Sequence, residues 1–404
     1  MPVLQLVEAA AGRCDVLWMV DECLDSANET ARLLRRFGPV VATGHPDLDE
    51  TAAAVGAHDP DGMVTYFDSG MVKLADVAAR LSLPFSTHET ACALVDKVRQ
   101  REMLSAAGLV VPKWWRLAAD VGPEAAMEVI GPESSWPLVL KPRSESGSRH
   151  TFRANDAAHG AELLADIGSA RQEMIAEEYL EGHPALHGSS FADYVSVETV
   201  VSAGTMSHIA ITGRFPPAET FRETGFFVPA ALDPELAPQV LRETEAALDA
   251  LGVTVGCFHT EVKLTPDGPR IIEVNGRLGG GIPDMVVRAT GVDLFKVSLD
   301  VALGADRAFD GPEPCSQVGY RLFLQPPPFV ATVTAVAGVE RLTDHPWIDS
   351  VTVHRGPGSR VDWRDGSRTF IVAVIGSAPD HQAVVDIEHL VRDVVKVSYS
   401  VETQ

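Results

Sequence analysis

Two glutamates, an asparagine, an arginine and three glycines are packed into the segment His259 to Gly281, HTEVKLTPDGPRIIEVNGRLGGG. Two apolar runs flank Pro266-Asp267-Gly268, a turn signal between strand-like segments. A hairpin centred on Asp267 sets Glu261 opposite Glu273 and His259 opposite Asn275. Because strand side chains alternate, His259, Glu261, Lys263, Glu273 and Asn275 share one face. Carboxylates directly opposed across two strands repel unless a cation lies between them. With the amide oxygen of Asn275 they make a hard oxygen donor set suited to Mg²⁺, which also binds substrate phosphates. Arg277 and Gly279-Gly280-Gly281 follow at once, which is the layout of a metal–nucleotide phosphoryl-transfer site. The plain alternative is a surface hairpin with paired charges. The opposed glutamate, the arginine and the glycine run together weigh against it.

A second phosphate-binding feature lies upstream. Trp136–Lys141 reads as a buried strand ending in lysine, PRSESGSR follows as a small-residue loop, and His150–Arg153 reads as the return strand. A Ser/Gly loop brings backbone N–H groups close to phosphate oxygens, here around Ser146 and Gly147. Lys141 adds a point charge. An ordinary hairpin loop has the same composition. Further on, Ile209–Ala231 is rich in aromatics and prolines and reads as a lining loop, with Arg214, Glu223 and Thr224 as its polar points.

The elements that must position these groups divide the 404 residues into more than one core. Residues 1–95 alternate strand and helix: a strand at Val16–Val20, a helix at Ser26–Phe37 capped by Ser26, a strand at Pro39–Ala42, a helix at Leu74–Leu81 and a strand at Pro84–Ser86. This is the pattern of a small doubly wound α/β domain. Asp21-Glu22, not a glycine fingerprint, follows its first strand, so no dinucleotide is expected there. Residues 96–310, which hold these groups, are expected to be the catalytic region, with a subdomain at about 112–182 expected to close as a lid, and 311–404 to be an α+β subdomain of four strands and a helix at Asp380–Val394. Helices are expected at Asp96–Ala107, Pro234–Leu251, Pro283–Ala289 and Asp293–Ala302.

Hydrophobic content of 46% is that of a globular chain. No apolar run is long enough to span a bilayer, and Glu8, Arg13 and Asp15 interrupt the N-terminal apolar residues, so neither a membrane partner nor a signal peptide is expected. Five scattered cysteines without a CxxC pair suit reduced thiols in the cytoplasm. A formal charge of −23 opposes nucleic-acid binding, and an anionic nucleotide must be drawn in by local cations, N–H groups and metal.

The Glu261 strand followed by Glu273-x-Asn275 resembles the metal-binding segment of the ATP-grasp superfamily, most of all its carboxylate–amine ligases that join amino acids. The strand-Lys141-Pro142-Ser/Gly order is similar to that superfamily's phosphate loop. The resemblance is strongest from 96 to 303. It implies ATP and Mg²⁺ (with Mn²⁺ as a substitute), small-molecule amino-acid or carboxylic-acid substrates, and often a homodimer. It implies that Lys97, in an Asp-Lys pair, reaches the phosphates. It makes Glu177, Tyr179 and Leu180 the hinge whose backbone meets the adenine edge, and Asp193 the candidate for the ribose. Arg214 and Glu223 would touch the acceptor, together with Gly281. Arg277 would stabilise the transferred phosphoryl group or clamp a carboxylate, and Gly279 and Gly280 would offer N–H groups to an oxyanion. The C-terminal subdomain resembles that of biotin-carboxylase-like and dipeptide-ligase-like members. The implied reaction is amide formation through an acyl phosphate. A carboxylase or purine-pathway enzyme using bicarbonate or formate, and a nucleotide-binding protein without turnover, share the same motifs.

Overall fold

The computed structural model describes residues 3–21, 27–44, 47–131, 134–168, 171–186 and 188–401. The chain begins with α1 (Val3–Ala10), β1 (Trp18–Val20), α2 (Ala27–Leu34), β2 (Val40–Ala42), α3 (Leu48–Gly56), α4 (Met71–Leu81), α5 (His88–Val95) and α6 (Lys97–Ala106). β1 and β2 pair in parallel, as a helical crossover requires. The strand expected at Pro84–Ser86 is irregular chain between α4 and α5. Leu83 and Phe85 pack against the Val41–Val55–Val77 core, so their apolar character goes into helix packing, and Pro84 has no N–H for a ladder. The N-terminal sheet therefore has two strands among the described residues. The expected Ser26 cap lies outside the described residues.

Next come β3 (Trp114–Leu117), α7 (Pro123–Glu128), β4 (Leu138–Pro142), β5 (Phe152–Ala154), α8 (Ala157–Ile167) and β6 (Met174–Glu178). They build a four-stranded antiparallel sheet in the order β3-β6-β4-β5. Leu117, Leu138, Leu140 and Phe152 of its strands pack with Met127 of α7 and Leu164 of α8 in a core of their own.

The remaining elements are β7 (Tyr194–Ser202), β8 (Thr205–Arg214), β9 (Gly225–Val228), α9 (Ala237–Ala250), β10 (Gly256–Thr265), β11 (Gly268–Asn275), α10 (Ile282–Thr290), α11 (Leu294–Ala302), β12 (Val318–Leu324), β13 (Thr332–Ala337), β14 (Ile348–Val353), β15 (Val372–Ala378), α12 (His381–Val394) and β16 (Lys396–Ser400). Among the described residues, eight of these strands form one antiparallel sheet in the order β11-β10-β7-β8-β9-β12-β15-β14. The β9–β12 pairing carries the sheet across residue 310. β16, absent from the sequence reading, pairs with β13.

Alternation decides which side of this sheet each residue serves. Phe258, Val262 and Leu264 of β10 pack on α9, whose Val240, Thr244, Ala247 and Leu248 are buried at helical spacing. Cys257 points to the opposite face, where Ile282, Met285 and Val286 of α10 and Leu294 and Val297 of α11 pack. That second face continues along β10 into His259, Glu261 and Lys263. Cys14, Cys92, Cys257 and Cys315 are free thiols, and no described helix is long and apolar enough to cross a membrane.

Candidate active site

β10 and β11 pair with Glu261 opposite Glu273 and His259 opposite Asn275. The turn itself is tighter than a hairpin centred on Asp267. Thr265 faces Gly268, leaving Pro266-Asp267 as a two-residue loop, with Gly268 at φ +100°. A bulge between Glu261 and Val262 restores the register, with Ile272 as the extra residue. The bulge turns the Ile272 carbonyl toward α6, where it accepts from Arg101 Nη2 at 2.6 Å.

α6 holds this edge strand in place. Asp96 caps the helix by accepting from the Val98 and Arg99 N–H groups. Lys97, Gln100 and Arg101 then fall on one face at i, i+3 and i+4. Gln100 donates from Nε2 to Val274 O and accepts from Val274 N, both at 2.9 Å, which closes the free edge between Glu273 and Asn275. Lys97 Nζ donates to Glu145 O at 2.6 Å and lies 3.1 Å from Glu273 Oε1. It is the cation paired with Glu273.

Arg101 and Lys141 converge on Glu177. Arg101 donates to both Glu177 oxygens at 2.8 and 3.2 Å, and Lys141 Nζ sits 2.7 Å from Oε2. All three are buried. Burial opposes ionisation of Glu177, but Arg101 and Lys141 overcome it and hold the carboxyl at about 2. Burial lowers the Lys141 pKa, and Glu177 offsets only part of that. Glu177, expected by resemblance at the adenine hinge, has these surroundings in the structure. It lies mid-strand in β6, opposite Trp114 of β3 and Val139 of β4, and its side chain positions Lys141. The Tyr179 N–H is also committed, donating to Pro137 O at 3.2 Å. The Tyr179 ring faces Arg153 and Lys263 instead, and Leu180 lines the cavity. Asp193 accepts from Lys263 Nζ at 2.6 Å.

A second buried chain of charges runs through His259. Its Nδ1 donates to the Glu198 carboxylate at 3.0 Å, and its Nε2 lies 3.5 Å from Glu261 Oε1. Glu198 also accepts from Ser196 Oγ and Thr212 Oγ1. Burial disfavours the imidazolium, yet Glu198 and then Glu261 raise its pKa to about 9. Glu261, despite burial, is held at about 2 by His259, Arg214 and Arg277. Arg277 grips Asp68 in a fork, Nε and Nη2 each at 2.9 Å from a carboxylate oxygen. Its Nη2 also donates to Asn275 Oδ1 at 3.4 Å. Arg214 donates to Ser196 Oγ at 3.0 Å, and its Nε faces Glu223 Oε1 at 3.4 Å. Burial raises the Glu223 pKa, and Glu261 adds to the rise.

The Ser/Gly loop closes over these groups. Gly147, at φ +70°, accepts from Ser367 N at 2.8 Å, Arg368 donates to Ser146 Oγ, and Ser148 Oγ donates to Phe221 O. Together with Gly279, Gly280 and Gly281 these residues line one cavity of ≈ 1610 Å³. Lys97, Lys141, Asp193, Arg214, Glu223, Glu261, Glu273, Asn275 and Arg277 line it too. A site for one drug-sized ligand occupies about 300–1,000 Å³, so this cavity has room for a nucleotide and further substrates.

Residues 134–284 match the family model of the ATP-grasp domain. The chain carries an ATP-grasp domain. Over 259 residues it is 27% identical to alanine–anticapsin ligase of Bacillus subtilis (strain 168), covering 60% of this chain and 53% of that protein. Over 310 residues it is 26% identical to the uncharacterized protein y4rH of Sinorhizobium fredii (strain NBRC 101917 / NGR234), covering 75% and 61%. The chain thus spans less than two thirds of the length of these curated relatives. The solved L-amino acid ligase from Bacillus licheniformis shares the fold at a TM-score of 0.79 and 20% identity, over 98% of this chain and 95% of that one.

In the ATP-grasp domain the donor set fits a magnesium ion. Glu261 and Glu273 oppose each other on paired strands with Asn275 two residues on, and Lys97 and His259 stand beside the two carboxylates. No three His, Cys, Asp or Glu side chains converge as a metal cluster among the described residues. Mg²⁺ needs only one or two protein carboxylates when phosphates complete its shell. Sequence reading missed Gln100, Arg101, Asp68 and Glu198. The first two carried a signal, since they share a helix face with Lys97. Asp68 and Glu198 carried none.

Proposed function

We propose that this chain is an ATP-dependent carboxylate–amine ligase that forms a peptide-type amide and releases ADP and phosphate. The observation that carries the reading is the convergence of Glu261, Glu273, Asn275 and Arg277 with Lys97 and Lys141 on one cavity larger than a nucleotide needs. Distant similarity to a protein named alanine–anticapsin ligase supports the choice of amide formation.

A substrate carboxylate oxygen attacks the γ-phosphorus of ATP, the bond to ADP breaks, and an acyl phosphate forms. The amine then attacks the carbonyl carbon, a C–N bond forms, phosphate leaves with the C–O bond's electrons, and the nitrogen gives up a proton to the departing phosphate. Glu261, Glu273 and Asn275 would hold magnesium, which when bound would neutralise charge at the phosphates. Lys97 and Lys141 bind the remaining phosphate charge. Arg277 exchanges Asp68 for the transferred phosphoryl group or the reacting carboxylate, with a planar fork that lysine lacks. The Ser146–Gly147 loop excludes water from the acyl phosphate.

The test is ADP and phosphate release with Mg-ATP across single and paired amino acids and small carboxylic acids. Release that needs two substrates, one of them an amine, is expected, as is loss of release in Glu273→Gln. Bicarbonate-dependent release without an amine, or a Glu273→Gln variant with wild-type turnover, would sink the reading.

A further inference from the structure

We propose that Arg321 binds a free carboxylate on the amine substrate, so that the acceptor is an amino acid or short peptide rather than a simple amine. This deepens the ligase reading above and rests on it.

Nine lysine and arginine side chains line the cavity. Eight of them are held by an ion pair or a hydrogen bond to a described residue. Arg321 has neither among the described residues, and its enclosed Nε has no acceptor. The nearby Asp284 makes no ion pair with it and accepts from Gln5 Nε2 at 2.8 Å. A partly buried guanidinium with neither an ion pair nor a hydrogen bond is costly, so an arginine so placed calls for an anion from outside the chain.

The fold places Arg321 on purpose-built surroundings. Arg214, Phe226 and Arg321 stand in one row across β8, β9 and β12. Arg214 lies 4.9 Å over the Phe226 ring, Phe226 meets Phe323 edge-on at 5.1 Å, and Arg321 lies 5.2 Å over Phe323. Two cations are thus separated by an aromatic step, and only Arg214 is neutralised, by Glu223. Arg321 Nη1 presses against Gly281, where a Cβ would come within 2.5 Å of it. Any residue but glycine there would push the guanidinium away.

Position selects the anion. The cations suited to ATP phosphates, Lys97 and Lys141, come from α6 and β4. Arg321 comes from the C-terminal strand β12 and meets the far end of the glycine run. Gly281 is four residues from Arg277, at most about 14 Å of chain. An amine attacking a carbonyl held at Arg277 can therefore rest its own carboxylate on the Arg321 fork.

The experiment compares acceptors that differ only in that charge: glycine against glycinamide, β-alanine against β-alaninamide, and glycylglycine against its amide. Each is measured by ADP release with the carboxylate donor found in the substrate panel. The wild type should favour the carboxylate form of at least one pair by ~10- to 100-fold in kcat/KM, the worth of a charge-assisted hydrogen bond. Arg321→Gln should erase the preference, and Arg321→Lys should keep part of it. A merely structural arginine would lower both forms alike. Equal use of acid and amide by the wild type, or an unchanged preference in Arg321→Gln, removes Arg321 from recognition while amine-dependent release upholds the ligase. Absence of any amine-dependent release overturns the ligase reading itself, and the assignment with it.

Discussion

Replacing Glu177 by glutamine isolates one buried charge without opening a cavity. In the wild type Glu177 faces Arg101 and Lys141, and all three are buried. The carboxyl is held at about 2 against an ordinary 4.5. At about 1.4 kcal/mol per unit this difference is worth ~3 kcal/mol of folding free energy near neutral pH. The sign follows from proton binding. The unfolded chain takes up the proton first as pH falls, so the contribution is complete above 4.5 and is lost as pH drops toward 2. Glutamine keeps the shape but leaves two cations without their counter-ion, a change that costs about 3–5 kcal/mol at buried pairs. Lys141, whose pKa burial already lowers, loses the group that opposes that fall. The assay is thermal melting of wild type and Glu177→Gln from pH 7 down to the acid limit of solubility, with ATP binding by calorimetry at pH 7. The variant should melt several degrees lower at pH 7, the gap should shrink below pH 4.5, and ATP affinity should fall at least tenfold. A pH-independent gap, or wild-type melting and ATP affinity, would refute the assignment of Glu177 as the support of Lys141.

Arg277→Lys should lower kcat for ADP release by at least tenfold, since the fork that now grips Asp68 cannot be copied by an ammonium group; steady-state kinetics with saturating ATP measures it. Gly279→Ala places a Cβ 2.6 Å from His259 Nδ1 and 2.5 Å from Ile282, so it should destabilise the fold by ~1–3 kcal/mol and weaken turnover. Gly280→Ala, which meets nothing within 4 Å, should melt like the wild type.

Much of the site could be read from spacing because a hairpin is a local object. Glu261 and Glu273 were paired correctly from the turn, although the turn is tighter than assumed and Ile272 bulges out to restore the register. The side-chain partners of Glu177 are not legible from the sequence because they depend on elements from elsewhere in the chain: β3 and β4 flank it, and Arg101 reaches it from α6. Asp68 is 209 residues from Arg277 and Glu198 is 61 from His259, separations at which single-sequence periodicity carries no information. Arg321 was passed over for the same reason, since only the β9–β12 pairing sets it beside Phe226.

The paired state of the site also resolves how a chain of charge −23 can hold a nucleotide. Lys97, Lys141 and Arg277 are each held by a carboxylate of the chain itself, Glu273, Glu177 and Asp68. These acids hold the cations in place on the cavity wall. The three pairs are not equivalent. Glu177 is shared with Arg101, so it stays satisfied when Lys141 turns to a phosphate. Asp68 and Glu273 have no second cationic ion-pair partner among the described residues. Glu273 lies opposite Glu261, so the charge left behind when Lys97 leaves is the charge a divalent metal would neutralise. On the proposed function, phosphate and metal would therefore support each other's binding on Lys97 and Glu273, whereas Arg277 would leave Asp68 only for an anion that repays a bidentate pair. Carboxylates and phosphoryl groups meet that requirement and neutral ligands do not.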